Sequence, residues 1–493
     1  MALRSILRWT CLFDGLYRIN FIRKRVFDLI IVRQNKIATT NRLHPKIVLD
    51  FLALKRSRKN DDTVKYISHS EKKKQLMTDT FRNLRINSDR MLAAFDELAH
   101  SRGLGATGEG GVHRPTFSES HLAARQWFRE QIEKAGLEFR TDGAGNHSAF
   151  LACGDDHAPT LLFGSHLDSV PNGGRFDGAL GVMAAFEVLR TIKDTGLKLK
   201  VNLEAIDFTD EEGTLVGLLG SAALAGHLHP DLLQNPRGGR EALLEGMKRA
   251  GLSDESMLSA VRPKESLAGY LELHIEQGKR LERAGIDIGI VSAIVGIWSY
   301  RLSFIGRADH AGTTAMDDRL DASLGASTFT LKAREIVMKD FPNCVVNVGN
   351  MEFRPGAFNI VPARVDLSLE FRSPDEEEFK RLDSVLMTCA QEEANCFGLD
   401  LEAKFLGKHL SSLMNDHVQS TFAEACHDLG LNYIPLTSGA GHDGQSFDGL
   451  CPVGMIFVPS KDGASHSARE FTEWEDCVNG TNVLLQAVLR LAM

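Results

Sequence analysis

The sequence predicts an α/β fold with a smaller α+β unit set into it, and three observations carry that reading. Short apolar runs at residues 160–163 and 201–208, and an alternating apolar and polar stretch at 271–278, are each of a length that suits a strand of a sheet. Histidines and carboxylates collect at the carboxyl ends of these runs, the edge at which open α/β sheets hold their ligands. Residues 293–405 have a different texture and read as β-α-β-β-α-β, the order of a split βαβ unit.

The chain of 493 residues is long enough for two or three domains with their own cores. Its 43% hydrophobic and 25% charged residues are those of a soluble globular protein. No apolar run approaches the ~18 residues of a membrane span. Eight cysteines are scattered without a CxxC pair, which fits a reducing compartment, so a cytoplasmic location is expected and a thiolate zinc site is not. Residues 1–76 hold 18 Lys and Arg against 6 Asp and Glu, and the remainder carries a net charge of −20. An acidic body argues against nucleic acid as a partner. The basic leader lacks the contiguous apolar core and cleavage site of a secretory signal. It is expected to be a disordered extension, or non-native sequence ahead of a start near Met77. A transit peptide and a patch for anionic surfaces are the alternatives.

Folded texture begins near Asn83. Residues 88–100 read as a helix, followed by a Gly-rich loop to Pro115. Residues 118–135 form a second helix, with Ser118 as N-cap and Gly136 as its stop. Residues 137–141 and 148–153 make a hairpin around DGAGN. The strand at 160–163 then leads into GSHLDSVPNGGRFDGALG, where His166 and Asp168 leave its carboxyl end. An Asn-Gly-Gly turn delivers Asp177, and a helix starts at Ala179.

The run at 201–208 ends in TDEEG. Asp210, Glu211 and Glu212 are either a solvated acidic loop or a working pair of carboxylates, one on a metal and the other positioned to accept a proton. The next run projects His274, Glu276 and Gln277 at its far end, and a strand at 453–458 is followed by PSKDGASHS, which carries His466. No one of these histidines points to a metal by itself. Three His, one Asp and one Glu at the ends of predicted strands suit two divalent ions that share a carboxylate.

The ordered series GSHLDSVPNGGRFDG, TDEEG, LHIEQG, GRADHAGTTAM, FNIVPARVDLSLEFR, SGAGHD and SHSARE resembles the hydantoinase/carbamoylase branch of the dinuclear metallo-aminoacylase and carboxypeptidase superfamily. That branch includes N-carbamoyl-L-amino-acid hydrolases, allantoate amidohydrolases and some β-ureidopropionases. The resemblance covers about residues 83–493. It implies a three-layer α/β/α metallohydrolase catalytic domain in two parts, 77–292 and 406–493, with an inserted ferredoxin-like α+β lid and dimerisation domain at 293–405. It also implies a homodimer and two divalent ions per subunit, zinc, manganese or cobalt. His166 and His274 would hold one ion, Glu212 and His466 the other, with Asp177 bridging and Glu211 as general base.

Within the lid, His310 is either a structural turn histidine or, by resemblance, the group that polarises the scissile carbonyl, reaching toward a neighbouring subunit. Arg372 ends an apolar strand, where its charge needs an anion. It either clamps a substrate carboxylate through two parallel hydrogen bonds or forms a surface ion pair. Asn359, Gln277, Gly441 and His442 are further substrate contacts that the resemblance implies. Residues GIWSYRLSF stand where allantoate enzymes carry a more basic run, which favours N-carbamoyl-L-amino acids as substrates. Thr313, Thr314 and Ala315 replace the commoner Thr-Thr-Pro, and EFR replaces the peptidases' DxR; neither change removes a group the chemistry needs. The alternatives are an allantoate amidohydrolase, an aminoacylase or peptidase of the superfamily, or a non-catalytic binding protein of the same fold.

Overall fold

The computed structural model describes residues 81–155 and 157–493, so the basic leader assigned to 1–76 lies outside the described residues. The described chain opens with α1 (Ser88–His100) and α2 (Glu119–Lys134). Asn87 and Ser118 cap their first turns, Asn87 Oδ1 accepting from Arg90 N at 3.0 Å and Ser118 Oγ from His121 N at 3.2 Å. Strands β1 (Glu138–Thr141) and β2 (His147–Leu151) form the expected antiparallel hairpin. Then come β3 (Thr160–His166), α3 (Ala179–Thr195), β4 (Asn202–Phe208), α4 (Leu219–Ala225), α5 (Pro230–Gln234), α6 (Arg240–Ala250) and β5 (Leu267–Ile275).

Strand β6 (Ile288–Ile294) is followed at once by β7 (Gly296–Ile305), α7 (Ala322–Asp340), β8 (Val345–Arg354), β9 (Arg364–Ser373), α8 (Glu376–Cys396) and β10 (Asp400–His409). The chain ends with β11 (Ser412–Leu413), α9 (Asp416–Leu429), β12 (Tyr433–Ser438), β13 (Val453–Val458) and α10 (Trp474–Ala492).

The larger sheet runs β1-β2-β4-β3-β5-β13-β6-β11, with β12 also paired to β6. Strands β4, β3, β5 and β13 are mutually parallel, so their carboxyl ends share one edge. Alternation along these strands feeds two cores, because successive side chains leave opposite faces. Leu161, Phe163, Leu203, Ala205, Leu271, Leu273, Ile456 and Val458 pack on one side with α3 and α10. Leu162, Ile206, Phe208, Tyr270, Met455 and Phe457 pack on the other. Burial on both faces gives the three layers that the sequence predicts.

Residues 296–409 form a four-stranded antiparallel sheet, order β10-β7-β9-β8, with its own core built against α7 and α8. That order and the β-α-β-β-α-β sequence are those of the expected ferredoxin-like unit. Helix α7 begins at Ala322, where Asp321 caps it by accepting from Ser323 N at 2.9 Å. His166 pairs with Phe208 and His274 with Phe457, so both histidines stand at the carboxyl ends of their strands, as the sequence predicts.

Candidate metal centre

The carboxyl ends of β3 and β5 and the loops after β4 and β13 direct side chains toward Asp177, in the loop after β3. His274 Nε2 lies 3.1 Å from Asp177 Oδ1, and His166 Nε2 lies 3.9 Å from the same oxygen. On the other side, His466 Nε2 is 3.4 Å from Asp177 Oδ2 and 3.5 Å from Glu212 Oε2. Two donor sets therefore share one carboxylate: His166, Asp177 and His274, and Asp177, Glu212 and His466, with the donor atoms of each set within 4.8 Å of one another. Glu211 Oε2 sits 3.5 Å from His166 Nε2. The structure thus brings together all five sequence-predicted metal residues and Glu211.

Backbone contacts fix these side chains. His166 Nδ1 is 3.0 Å from the Asp168 carbonyl and His274 Nδ1 is 3.0 Å from the Ile275 carbonyl, which turns each Nε2 toward Asp177. Asn172, Asp210, Gln277 and His466 all take left-handed backbone, with φ of 53–57°, so unusual conformations gather in the loops of the site. Gly174 and Gly178 permit its tightest approaches. A Cβ on Gly178 would lie 2.4 Å from the His166 ring, and one on Gly174 would lie 1.8 Å from the Glu470 carboxyl carbon.

The electrostatics fit a bound cation. Burial pushes Glu211 well above the usual carboxylate range, and Asp443 and Glu212 push it further. Burial and Asp177 raise Glu212 to about 9. Burial opposes ionisation of Asp177, but the histidines around it hold it below its ordinary value. Burial likewise opposes charging of His274, yet Asp177 draws it up to about 9. A proton and a metal ion compete for that same lone pair. Crowded carboxylates and imidazoles of this kind are the donors that zinc and its neighbours take.

The sequence reading missed the residues that hold the frame. Asp168 accepts from Glu211 N and Glu212 N, both at 3.3 Å, and from Thr116 Oγ1 at 3.0 Å, so it fixes the acidic turn from below. Asp210 also points inward, accepting from the backbone N–H groups of Leu215, Val216 and Gly217. Glu470, in the SARE motif, accepts from Phe176 N (2.8 Å), Asp177 N (3.0 Å) and Ser465 Oγ (3.0 Å). Arg125, on α2, pairs with Asp207 at 2.8 Å and donates to Gly145 O, Thr209 Oγ1 and Phe208 O. Asp207 in turn accepts from Leu167 N at 2.8 Å, tying the ends of β3 and β4 together. A buried charge implied by the alternation of β4 was the available signal for Asp207; none marked Arg125 as its partner. Glu272 forms another donor set with His274 and His442, but its oxygens already accept from Ser165 Oγ, Tyr270 OH and Gly444 N.

Six further sequence-predicted residues divide into two groups. Gln277, Arg372, Gly441 and His442 line a cavity of about 690 Å³ together with the metal residues. Gln277 Nε2 donates to Asp177 Oδ2 at 3.0 Å, and His442 Nε2 contacts Ser438 Oγ at 2.9 Å. Arg372 is held by Glu370 through two hydrogen bonds of 2.8–2.9 Å and donates to Gly439 O at 2.6 Å. His310 and Asn359 are exposed and neighbour each other at the tip of the smaller sheet, outside this cavity.

A parallel-sheet edge holding paired donor sets around a shared carboxylate is the arrangement of a metallohydrolase. The model of peptidase family M20/M25/M40 matches residues 162–490, and the chain belongs to that family. Within it, the chain falls in the hydantoinase/carbamoylase branch and is a hydrolase acting on C–N bonds. It is 36% identical over 409 residues to the N-carbamoyl-L-amino acid amidohydrolase of Geobacillus stearothermophilus, covering 83% of this chain and 99% of that one. It is 33% identical over 392 residues to the ureidoglycolate hydrolase of Arabidopsis thaliana, covering 78% and 82%. Among solved structures it is similar to a hydantoinase/carbamoylase family amidase from Burkholderia ambifaria, with a TM-score of 0.76, 30% identity and coverage of 83% and 98%.

Proposed function

We propose that the protein is a homodimeric amidohydrolase that uses two divalent ions, zinc, manganese or cobalt, to cleave N-carbamoyl-L-amino acids into the amino acid, ammonia and carbon dioxide. The observation that carries this reading is the convergence of four donors on a fifth, Asp177, with Glu211 beside them. Similarity to the carbamoyl hydrolase of Geobacillus stearothermophilus over 99% of its length supports the substrate class. The catalytic domain comprises residues 77–292 and 406–493, and the lid at 293–405 provides the dimer surface. Seven described cysteines, all unpaired, support a cytoplasmic site of action.

His166 and His274 would hold one ion and Glu212 and His466 the other, with Asp177 shared between the two sets; bound there, the ions would supply positive charge that polarises the ureido carbonyl and acidifies water in the cavity. Glu211 accepts the proton of the attacking water and returns it to the leaving nitrogen. Arg372 releases Glu370 to take the substrate carboxylate. Gln277 hydrogen-bonds the substrate, Gly441 and His442 shape its pocket, and a neighbouring subunit brings in His310 to polarise the carbonyl, with Asn359 beside it to hydrogen-bond the substrate.

The test is ammonia release by protein stripped of metal and reloaded with manganese or zinc. N-carbamoyl-L-amino acids, allantoate and ureidoglycolate are compared, with Glu211→Gln as control. Release from the carbamoyl compounds that falls at least ~10²-fold in the control is expected. No ammonia from any of them, with metal shown to be bound, overturns the reading. Ureidoglycolate is the second reading, supported by similarity to the Arabidopsis thaliana hydrolase.

A further inference from the structure

The cavity wall carries two guanidinium groups, and they stand in different circumstances. Arg372, from strand β9, is already neutralised by Glu370. Arg237, from the loop between α5 and α6, makes no hydrogen bond or ion pair among the described residues. An exposed arginine free in water explains nothing by itself. Arg237 is not free in that sense, because the surrounding backbone is built to receive it.

Its loop is pinned. Gly238 N donates to Leu215 O at 2.9 Å, and a Cβ on Gly238 would come within 2.3 Å of Thr214 O, so only glycine allows the approach. The guanidinium lodges in a notch left by two other missing side chains. A Cβ on Gly213 would lie 1.7 Å from Arg237 Nη2, and one on Gly217 would lie 2.8 Å from it. The 213–218 segment is itself fastened by Asp210, which accepts the Leu215, Val216 and Gly217 N–H groups at 2.6–3.1 Å. Gly213 directly follows Glu212, so the notch holds the guanidinium beside the acidic turn. Yet no carboxylate there lies within ion-pair distance of it. Val216, Leu218 and Leu232 also line the cavity.

We infer that Arg237 is a specificity-determining residue that takes a second carboxylate on the substrate, so that the preferred N-carbamoyl amino acid carries an acidic side chain. The inference rests on the proposed carbamoyl hydrolysis and deepens it. Arg372 receives the α-carboxylate from the lid side, while Arg237 receives the side-chain carboxylate from the loop beside Glu211 and Glu212. A guanidinium fork offers two parallel N–H donors to that planar anion, and the apolar neighbours accommodate the methylenes between the two charges.

The experiment compares N-carbamoyl-L-aspartate and N-carbamoyl-L-glutamate with N-carbamoyl-L-valine and N-carbamoyl-L-methionine, using the metal-loaded full chain. Wild type is expected to favour the acidic pair in kcat/KM. Arg237→Ala is expected to raise KM for the acidic pair about tenfold or more, with kcat and the neutral pair changed less than about threefold, and Arg237→Lys to recover part of the loss. An equal change for both pairs, or none, overturns the inference. Calorimetric binding of N-carbamoyl-L-glutamate to Glu211→Gln, with and without Arg237→Ala, separates the two levels of the reading. Weaker binding on loss of Arg237 without turnover of any carbamoyl compound by wild type overturns the reaction and keeps the anion site. Turnover of carbamoyl compounds with binding that ignores Arg237 overturns the anion site alone.

Discussion

Replacing Arg125 by methionine tests whether the metal centre depends on a frame behind it. Arg125 and Asp207 are both buried, with side chains 3% and 0% exposed, and their 2.8 Å contact joins α2 to the ends of β3 and β4. Methionine fills much of the volume but leaves Asp207 as an uncompensated buried charge, and the carbonyls of Gly145 and Phe208 lose a donor. Breaking such a pair costs about 3–5 kcal/mol. With about 2.1 cal/mol/K of unfolding entropy per residue, the described unit should lose about 4–6 °C in Tm. Asp207→Asn added to Arg125→Met should recover roughly 2 kcal/mol, because the stranded charge is gone. Calorimetry at fixed metal content reads both values. A loss under ~1 kcal/mol for Arg125→Met, or no recovery in the double variant, refutes the argument that this pair sustains the strand ends.

Three other outcomes are expected. Glu470→Ala removes the acceptor for Phe176 N and Asp177 N and should weaken metal binding about 10–100-fold, read by metal retained against a graded chelator. His147 is held down to about 3 by burial and by Arg125, so the unfolded chain takes up its proton first as pH falls below about 6.5. Its contribution to stability is complete above that pH and is lost toward pH 3 at ~1.4 kcal/mol per unit. Raised carboxylates such as Glu212 act in the opposite sense, so the urea midpoint of wild type is compared with that of His147→Gln, which should show the shallower acid loss. Glu370→Gln frees Arg372 from its ion pair and should lower KM for carboxylate substrates by a factor of about 3–10, whereas Arg372→Gln should raise it by roughly 10²-fold.

Much of the site was legible because it obeys local rules. Strands β3, β4, β5 and β13 announced themselves by apolar runs, and the donors follow at the one edge that parallel strands share. The lid was legible from the order of its elements. What escaped were features that depend on partners distant in sequence. Asp168 and Asp210 stood near the site in the sequence without a role, yet each turns inward to receive backbone N–H groups that only the folded turn presents. Glu470 lies 293 residues after Asp177, and no periodicity links them. The Glu370 partner of Arg372 was within reach, since residues two apart on a strand share a face. The order of the larger sheet was not, because pairing between remote strands leaves no mark in either of them.

That order has a consequence for how the protein is made. Among the described strands, β13 lies between β5 and β6 and is the only one paired with both, yet it is the last to be synthesised. Until Val453–Val458 has left the ribosome, the β1–β5 half and the part built on β6 are two open sheets with bare central edges, and the loop bearing His466 does not yet exist. The nascent chain therefore carries its most exposed pairing edges through most of translation and closes them in one late insertion.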